Sequence, residues 1–500
     1  MRRFALVLAT GVLLGGPTVL ALYSGGFFDG PRSAATLLAW AIVFLLAVAG
    51  PRPLPSSRSG WIAVGGLAGL VAWTAISAAW APLAGVVVDN AQRGLLYLGV
   101  LLAAVGLFRD RQAARAVEPA LGLGAAFAIL YGLSERLLPG VIEFEGSYVG
   151  SGRLELPITY HNAQGLLAAI GLILCVRVSG DGSRPSALRL AGAVAAVPLG
   201  LGVYLSYSRG ALAVAVLGLI VLLAAVPVWP QLRAALAAVI GGVVVSACAE
   251  ALPGVASAAG SAGAQQRDGA IMFAILVVVG AVTGWFTMRT AARERAGSAP
   301  VGALGWAPRI PTLAVAAVLL CVAGLIGGGL LESADRSERT GATPSRLASL
   351  SSLRYEYWGA GLRAFEDEPL IGHGSGSFRV IWRTERTVDV GVNDVHSIVL
   401  EQAVELGIVG LLLFGLFVGG VAAAARRALR DGAPVAAGAT AACLAWLLHA
   451  AIDWDWQLPG VTLPAVVLAG ALMAASEAPP GPTGERRPVR RDAERVRIPA

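Results

Sequence analysis

Residues 393–410, NDVHSIVLEQAVELGIVG, close a long polar segment and open an apolar one. The chain has four histidines, and His396 stands at this boundary with Glu401 and Glu405 just behind it. Histidine is the residue type that ordinarily titrates near neutral pH, so at such a position it can take a proton from a hydroxyl nucleophile. A lone histidine at a helix start has a plainer reading too, as a cap or a packed residue. Glu401 and Glu405, four apart, share one face of a helix and are available as partners for arginines.

Three arginines stand in comparable settings. Arg209 lies in SYSRGALAV beside Ser206 and Ser208, at a helix start, where a guanidinium can fork onto phosphate oxygens with help from the free N–H groups. Arg153 precedes a helix that opens with His161 and Asn162 in RLELPITYHNAQG. Arg354 projects from RYEYWGAGLRAF, where Leu350, Leu353, Tyr357, Trp358, Leu362 and Phe365 recur every three or four residues. That spacing predicts an amphipathic helix lying at a membrane interface. GHGSGSF then reads as a flexible turn whose glycines serve backbone freedom. Finally, HAAIDWDWQLP sets Asp453 and Asp455 between tryptophans that suit an interfacial belt. Each motif alone has an ordinary reading: Arg209 against lipid phosphate, Asn162 as a helix cap, Arg153 in solvent.

The elements that carry these residues follow from composition. Hydrophobic residues make up 56% of the 500 and charged residues 14%, with a mean hydropathy of +0.71. Soluble domains carry about 25% charged residues, so most of the chain lies in lipid. Apolar runs near 4–22, 33–49, 60–80, 92–108, 116–133, 160–176, 188–206, 210–228, 232–250, 269–288, 310–331, 396–422, 435–452 and 458–475 can each cross a bilayer. The fold class is therefore an all-α polytopic membrane protein with about 12–14 transmembrane helices. The short alternating strands of a membrane barrel are absent. MRRFALVLATGVLLGG reads as the first membrane helix in preference to a cleaved signal. The four cysteines, Cys175, Cys248, Cys321 and Cys443, lie inside apolar runs without ligand spacing and read as small core residues.

Every basic side chain other than histidine is arginine, and the 38 arginines divide unevenly among the loops. One alternate set carries Arg2, Arg3, Arg52, Arg58, Arg109, Arg111, Arg115, Arg177, Arg184, Arg189, Arg233, Arg289, Arg293, Arg295, Arg309, Arg426, Arg427 and Arg430, together with the basic tail. The positive-inside rule makes that set, and both termini, cytoplasmic. His161, His373, His396, His449, Arg153, Arg209, Arg354, Asp453 and Asp455 then fall on the outer side. Scattered arginines give no nucleic-acid patch, and no metal-ligand spacing or cofactor motif is present. The chain divides into a scaffold at 1–133, a central membrane region at 134–331 with the outward arginine motifs, a large outward loop at 332–395, membrane helices at 396–475 and a disordered tail at 476–500. A loop of 64 residues is too long to be a connector.

Taken together, RLELPITYHNAQG, SYSRGALAV, the run from RYEYWGAGLRAF to PLIGHGSGSF, and VHSIVLEQAVELGIVGLLLF resemble the bacterial O-antigen ligase and O-antigen polymerase superfamily. AIDWDWQLP is similar to the family's acidic outer turn. The chain departs from the family in having His396-Ser397 where His-Asn is common, and its N-terminal third carries no matching motif. The resemblance implies a GT-C-like, metal-independent glycosyltransferase of the bacterial cytoplasmic (inner) membrane. It would move a glycan from an undecaprenyl-pyrophosphate donor to a glycan, lipid or protein acceptor, with its active site outside. On this resemblance Arg153, Arg209 and Arg354 bind the pyrophosphate, His396 is the catalytic base, and Ser208, Asn162, Glu405 and Asp453 support them. Ligase, polymerase and protein O-glycosyltransferase remain equally open. The competing class is a transporter or flippase of lipid-linked glycans, which would use broken helices at the midplane and internal repeats; neither is legible. With the four cysteines replaced, a single cysteine at Thr340 should label from outside the cell. Labelling only after permeabilisation would invert the topology.

Overall fold

The computed structural model of the chain describes residues 2–144, 152–305, 342 and 353–478. The span expected at 310–331, Cys321, most of the 332–352 segment and the tail from 479 lie outside the described residues. Among those described there is no strand, only one isolated bridge between Val228 and Ala303. Among the described residues the first ten α-helices are α1 (Arg2–Leu22), α2 (Asp29–Ala49), α3 (Arg58–Ile76), α4 (Ala84–Leu107), α5 (Arg111–Leu137), α6 (His161–Gly180), α7 (Ser186–Leu205), α8 (Arg209–Ala225), α9 (Trp229–Glu250) and the short α10 (Pro253–Ala256). The rest are α11 (Ala262–Arg295), α12 (Arg354–Asp367), α13 (Phe378–Glu385), α14 (Ile398–Arg430), α15 (Ala436–Ala450) and α16 (Pro459–Glu477). Eleven helices are long and apolar enough to cross a membrane, and α8 and α15 are shorter apolar helices. Thirteen of the fourteen expected spans are thus helices, and SYSRG separates two of them.

Local sequence explains the boundaries. Asp110, Ser208, Ser261 and Ser397 each accept a backbone N–H in the first turn of the helix they precede, as N-caps do. Pro230 and Pro459 occupy first-turn positions, where no N–H is missed. The apolar window of α6 is buried along its whole length and that of α16 along 94% of it, against 22% for α2. Hence α6 and α16 form the bundle's centre and α2 its rim. Leu37, Phe44, Val243, Val278 and Leu412 are exposed on outer faces, as expected where the solvent is lipid.

The helices alternate in direction, so the bundle has two ends. At one end, ion pairs tie the arginine-rich loops. Arg109 bonds Glu477 at 2.9 Å, whose other oxygen takes the Ser56 and Ser57 N–H groups. Arg184 holds Glu118 at 2.8 Å, and Arg189 and Arg233 share Glu294 at 3.0 Å each. The opposite end gathers the starts of α6, α8, α14 and α16.

Two expectations about this second end need correction. The helix α14 is not continuous: Gly407 has φ +66° and ψ −162°, so its first two and a half turns are offset from the rest. The break is filled by the GHGSGSF segment, which is tied down, not flexible. The N–H groups of His373 and Gly374 bond the carbonyls of Val404 and Glu405 at 3.0 and 2.8 Å, and Ile408 N–H bonds Pro369 O at 2.8 Å. Helix α12 sets its buried face against protein. It begins at Arg354, leaves Leu362 exposed, and buries Tyr357, Ala360, Gly361 and Ala364. The small residues let it approach α13 and α14, and Tyr357, Ala360 and Ala364 share a separate small core with Phe378, Trp382, Val395 and Val404. It therefore packs on protein. A Cβ at Gly407 would stand 2.3 Å from Leu370 O, in a conformation L residues rarely adopt. Gly407→Ala should destabilise the chain by about 1–3 kcal/mol. Gly415→Ala on the same helix, with nothing within 4 Å, should leave the unfolding midpoint in detergent unchanged.

Candidate functional site

The buried carboxylate of Asp453, in the turn between α15 and α16, joins three distant segments. It accepts hydrogen bonds from Tyr160 Oη at 2.8 Å, Asn162 Nδ2 at 2.9 Å, Arg354 Nη2 at 2.5 Å and the Trp454 N–H at 2.9 Å. Burial pushes this carboxyl up, but the Arg354 guanidinium, with His396, His449 and the Tyr160 hydroxyl, outweighs burial and holds it at about 2. In return Asp453 outweighs the burial that would lower Arg354, whose side chain stays 23% exposed at the rim. Burial, followed by the Asp453 charge, pushes the Tyr160 hydroxyl up, so it stays a donor.

Asn162 carries the network onward. Its Oδ1 accepts from Arg153 Nη2 at 3.1 Å, Arg153 Nε donates to Ser206 O at 2.8 Å, and Arg153 Nη1 lies 2.5 Å from His161 Nε2. Arg153 is only 5% exposed. It therefore links the start of α6 to the turn 206–208. In that turn Ser208 caps α8 through the Ala211 N–H, which sets Arg209 in the helix's first turn. A second buried pair adjoins it: His449 Nδ1–H donates to Asp455 at 2.6 Å, with both residues almost fully buried. His449 Nε2 would lie 3.1 Å from a Cβ at Gly210, so this ring packs on the first turn of α8.

His396 stands beside the network, not in it. Its ring centroid is 5.3 Å from that of Tyr357 and 6.3 Å from that of Trp454, whose ring is 4.8 Å from Tyr160. Nδ1 lies 2.9 Å from the Asp394 carbonyl, which can only accept, so Nδ1 carries the proton and Nε2 is the basic nitrogen. His396 has φ +55°, and Thr159 and Tyr207, which flank the Arg153 network, have φ +66° and +46°. Non-glycine residues in that region cost about 1–3 kcal/mol each and cluster at functional sites.

The structure thus brings Arg153, Asn162, Arg354 and Asp453 into one network, with His396, Ser208 and Arg209 on its border. Glu405 lies elsewhere than the sequence suggested. It accepts the Gly376 N–H at 2.7 Å and the Phe378 N–H at 3.4 Å, while Glu401 accepts from Gln457 at 2.6 Å. Both serve the loop that fills the α14 break and the turn before α16, because the helix face they share points inward to the backbone there. Sequence reasoning missed Tyr160, Trp454 and the inner cations Arg93 and Arg379. A signal existed for Arg93, because an arginine at the head of an apolar span is costly unless paired. Among the described residues no three His, Cys, Asp or Glu side chains gather as a metal site.

Fold and site define a polytopic membrane protein with an arginine–histidine cluster at one end of its helical bundle. Residues 194–415 match the family model described as O-antigen ligase, in keeping with the resemblance its motifs carry. No curated protein matches the chain. The matched segment contains Arg209, Arg354, His396 and Glu405, whereas Arg153, Asn162 and Asp453 lie outside it. Asp453→Asn should cost roughly 3–5 kcal/mol, because Arg354 loses its charge partner in a buried pair. The carboxylate's stabilising effect is complete above the ordinary aspartate value and fades as pH falls towards 2. The unfolding midpoint of the variant should therefore fall less than that of the parent between pH 5 and 3.

Proposed function

We propose that this chain is an integral-membrane glycosyltransferase acting on an undecaprenyl-pyrophosphate-linked glycan at the outer face of the bacterial cytoplasmic membrane. The observation that carries this reading is the placement of His396, with Nε2 as its basic nitrogen, beside the arginine network at one end of the bundle. Arg209 binds the pyrophosphate together with the N–H groups of the first turn of α8. Arg354, at the rim, exchanges part of its contact with Asp453 for a phosphate oxygen. Arg153 braces the starts of α6 and α8 and keeps the clamp in position.

In the reaction, His396 Nε2 takes the proton from the acceptor hydroxyl while that oxygen attacks the anomeric carbon. The new glycosidic C–O bond forms as the bond to the pyrophosphate breaks. The electron pair leaves on the pyrophosphate, where the arginines stabilise it. Attack in line with departure inverts the configuration of the anomeric carbon. The acceptor is a sugar, lipid or protein hydroxyl.

The break in α14 is a feature that transporters share. Here the backbone of residues 369–376 occupies it, which favours bond-making at the bundle's end over passage through its middle.

His396→Ala should lower glycan transfer by about 10²–10⁴-fold in vitro while leaving the unfolding midpoint intact. Retained transfer would remove His396 as the base. Arg209→Lys keeps the charge and loses the fork, and should lose at least about tenfold.

A further inference from the structure

The transfer chemistry leaves Glu401 and Glu405 without a catalytic task, yet both are buried at 5% and 4% exposure. Their carboxylates border a small, partly open cavity of about 20 Å³ between α3, α4, α14, the glycine-rich loop and Trp456. That is room for one water-sized species. Its polar lining is all oxygen-bearing: Thr74, Asn90, Ser375, Glu401, Gln402 and Glu405. Gln402 is 4% exposed, lines the cavity, and its side-chain amide makes no hydrogen bond among the described residues. A buried amide without a partner is costly, so the cavity's occupant must offer it something.

The charges around the cavity do not balance. Glu401 lies in the field of the Glu405 and Asp394 carboxylates and of the Arg93 and Arg379 guanidiniums. Arg32, the next cation in reach of Arg93, is paired with Asp29 and Asp89. The cavity lining itself carries two carboxylates, Glu401 and Glu405, and no cation. Glu405 also engages only neutral N–H groups, those of Gly376 and Phe378. In addition, the first segment of α14 ends at the Gly407 break, and Leu406, its last residue, lines the cavity. The negative end of a half-helix favours a cation there, and interrupted membrane helices bind alkali ions in this way.

We propose that one dehydrated sodium ion occupies this cavity, held by oxygens of Glu401, Glu405, Gln402 and Ser375. A single positive charge offsets the carboxylate pair, whose field the Arg93 and Arg379 guanidiniums already reduce from outside the lining. Hard oxygen ligands suit an alkali cation, and a charged carboxylate pair attracts the smaller sodium ion more strongly than potassium, because its charge comes closer. The ion lets both glutamates stay charged in the interior, so Glu405 keeps its grip on the loop that fills the α14 break. The start of α14, and His396 just before it, are fixed by that grip. The proposal stands independently of the glycosyl-transfer chemistry.

The test uses the purified full chain in detergent at constant ionic strength. Its unfolding midpoint is measured in sodium, potassium and choline chloride, and ²²Na⁺ binding is counted per chain. Sodium should raise the midpoint saturably above both other salts, with one ²²Na⁺ bound per chain. Glu401→Gln should abolish the sodium increment and the bound ion. If that variant does not fold, Gln402→Leu, which removes a ligand without changing charge, should weaken ²²Na⁺ binding at least tenfold. Equal midpoints in the three salts with no stoichiometric ²²Na⁺ would overturn the proposal and leave the cavity to a water and a carboxyl proton. A potassium increment equal to that of sodium would overturn it as well.

Discussion

The arginine–histidine end of this bundle depends on one buried carboxylate. Asp453 is removed from water, a costly placement for a charge, and is kept ionised by Arg354 and by neutral donors from Tyr160, Asn162 and Trp454. In a low-dielectric setting such a group demands several partners at once. Those partners come from the start of α6, from α12 and from the turn before α16, so satisfying one charge fixes three segments far apart in sequence. Arg153 extends the same logic to the turn before α8. The arginines are thereby held in place, as the proposed electrostatic catalysis would need.

A second constraint acts on the loop side. Glu405 binds backbone N–H groups of the glycine-rich segment, and that segment in turn supplies hydrogen bonds to the broken backbone of α14. A gap in a membrane helix leaves polar groups that lipid cannot satisfy. The loop closes the gap with protein, so the break adds rigidity where His396 is mounted. At the other end of the bundle, ion pairs such as Arg109–Glu477 and Arg184–Glu118 tie loops across the chain. Many arginines that mark topology in the sequence thus also hold the helix ends together.

The superfamily match and the geometry divide the site unequally. The matched segment, 194–415, holds Arg209, Arg354 and His396. Arg153, Asn162 and Asp453, which lie before and after it, belong to the network that orients Arg354 and the start of α8. The parts assigned to chemistry and the parts that position them are separated along the chain, yet they meet at one end of the bundle.

The sequence by itself determined the membrane class, thirteen of the described helices, and the collection of rare charged residues at one end. Apolar runs about 20 residues long, alternating arginine-rich loops and capping residues are local or periodic signals, and lipid leaves few other ways to satisfy a backbone. Tertiary structure alone decided which charges meet. Nothing in spacing told that Asp453 would face Arg354, that Arg153 would be buried as a brace, or that Glu401 and Glu405 would turn inward to the loop and the turn before α16. The break at Gly407 was equally invisible, because a glycine in an apolar run is common in membrane helices and only the incoming loop makes this one break. Partner choice among buried charges is a long-range matter of which helix ends adjoin, and no local pattern of residues records it.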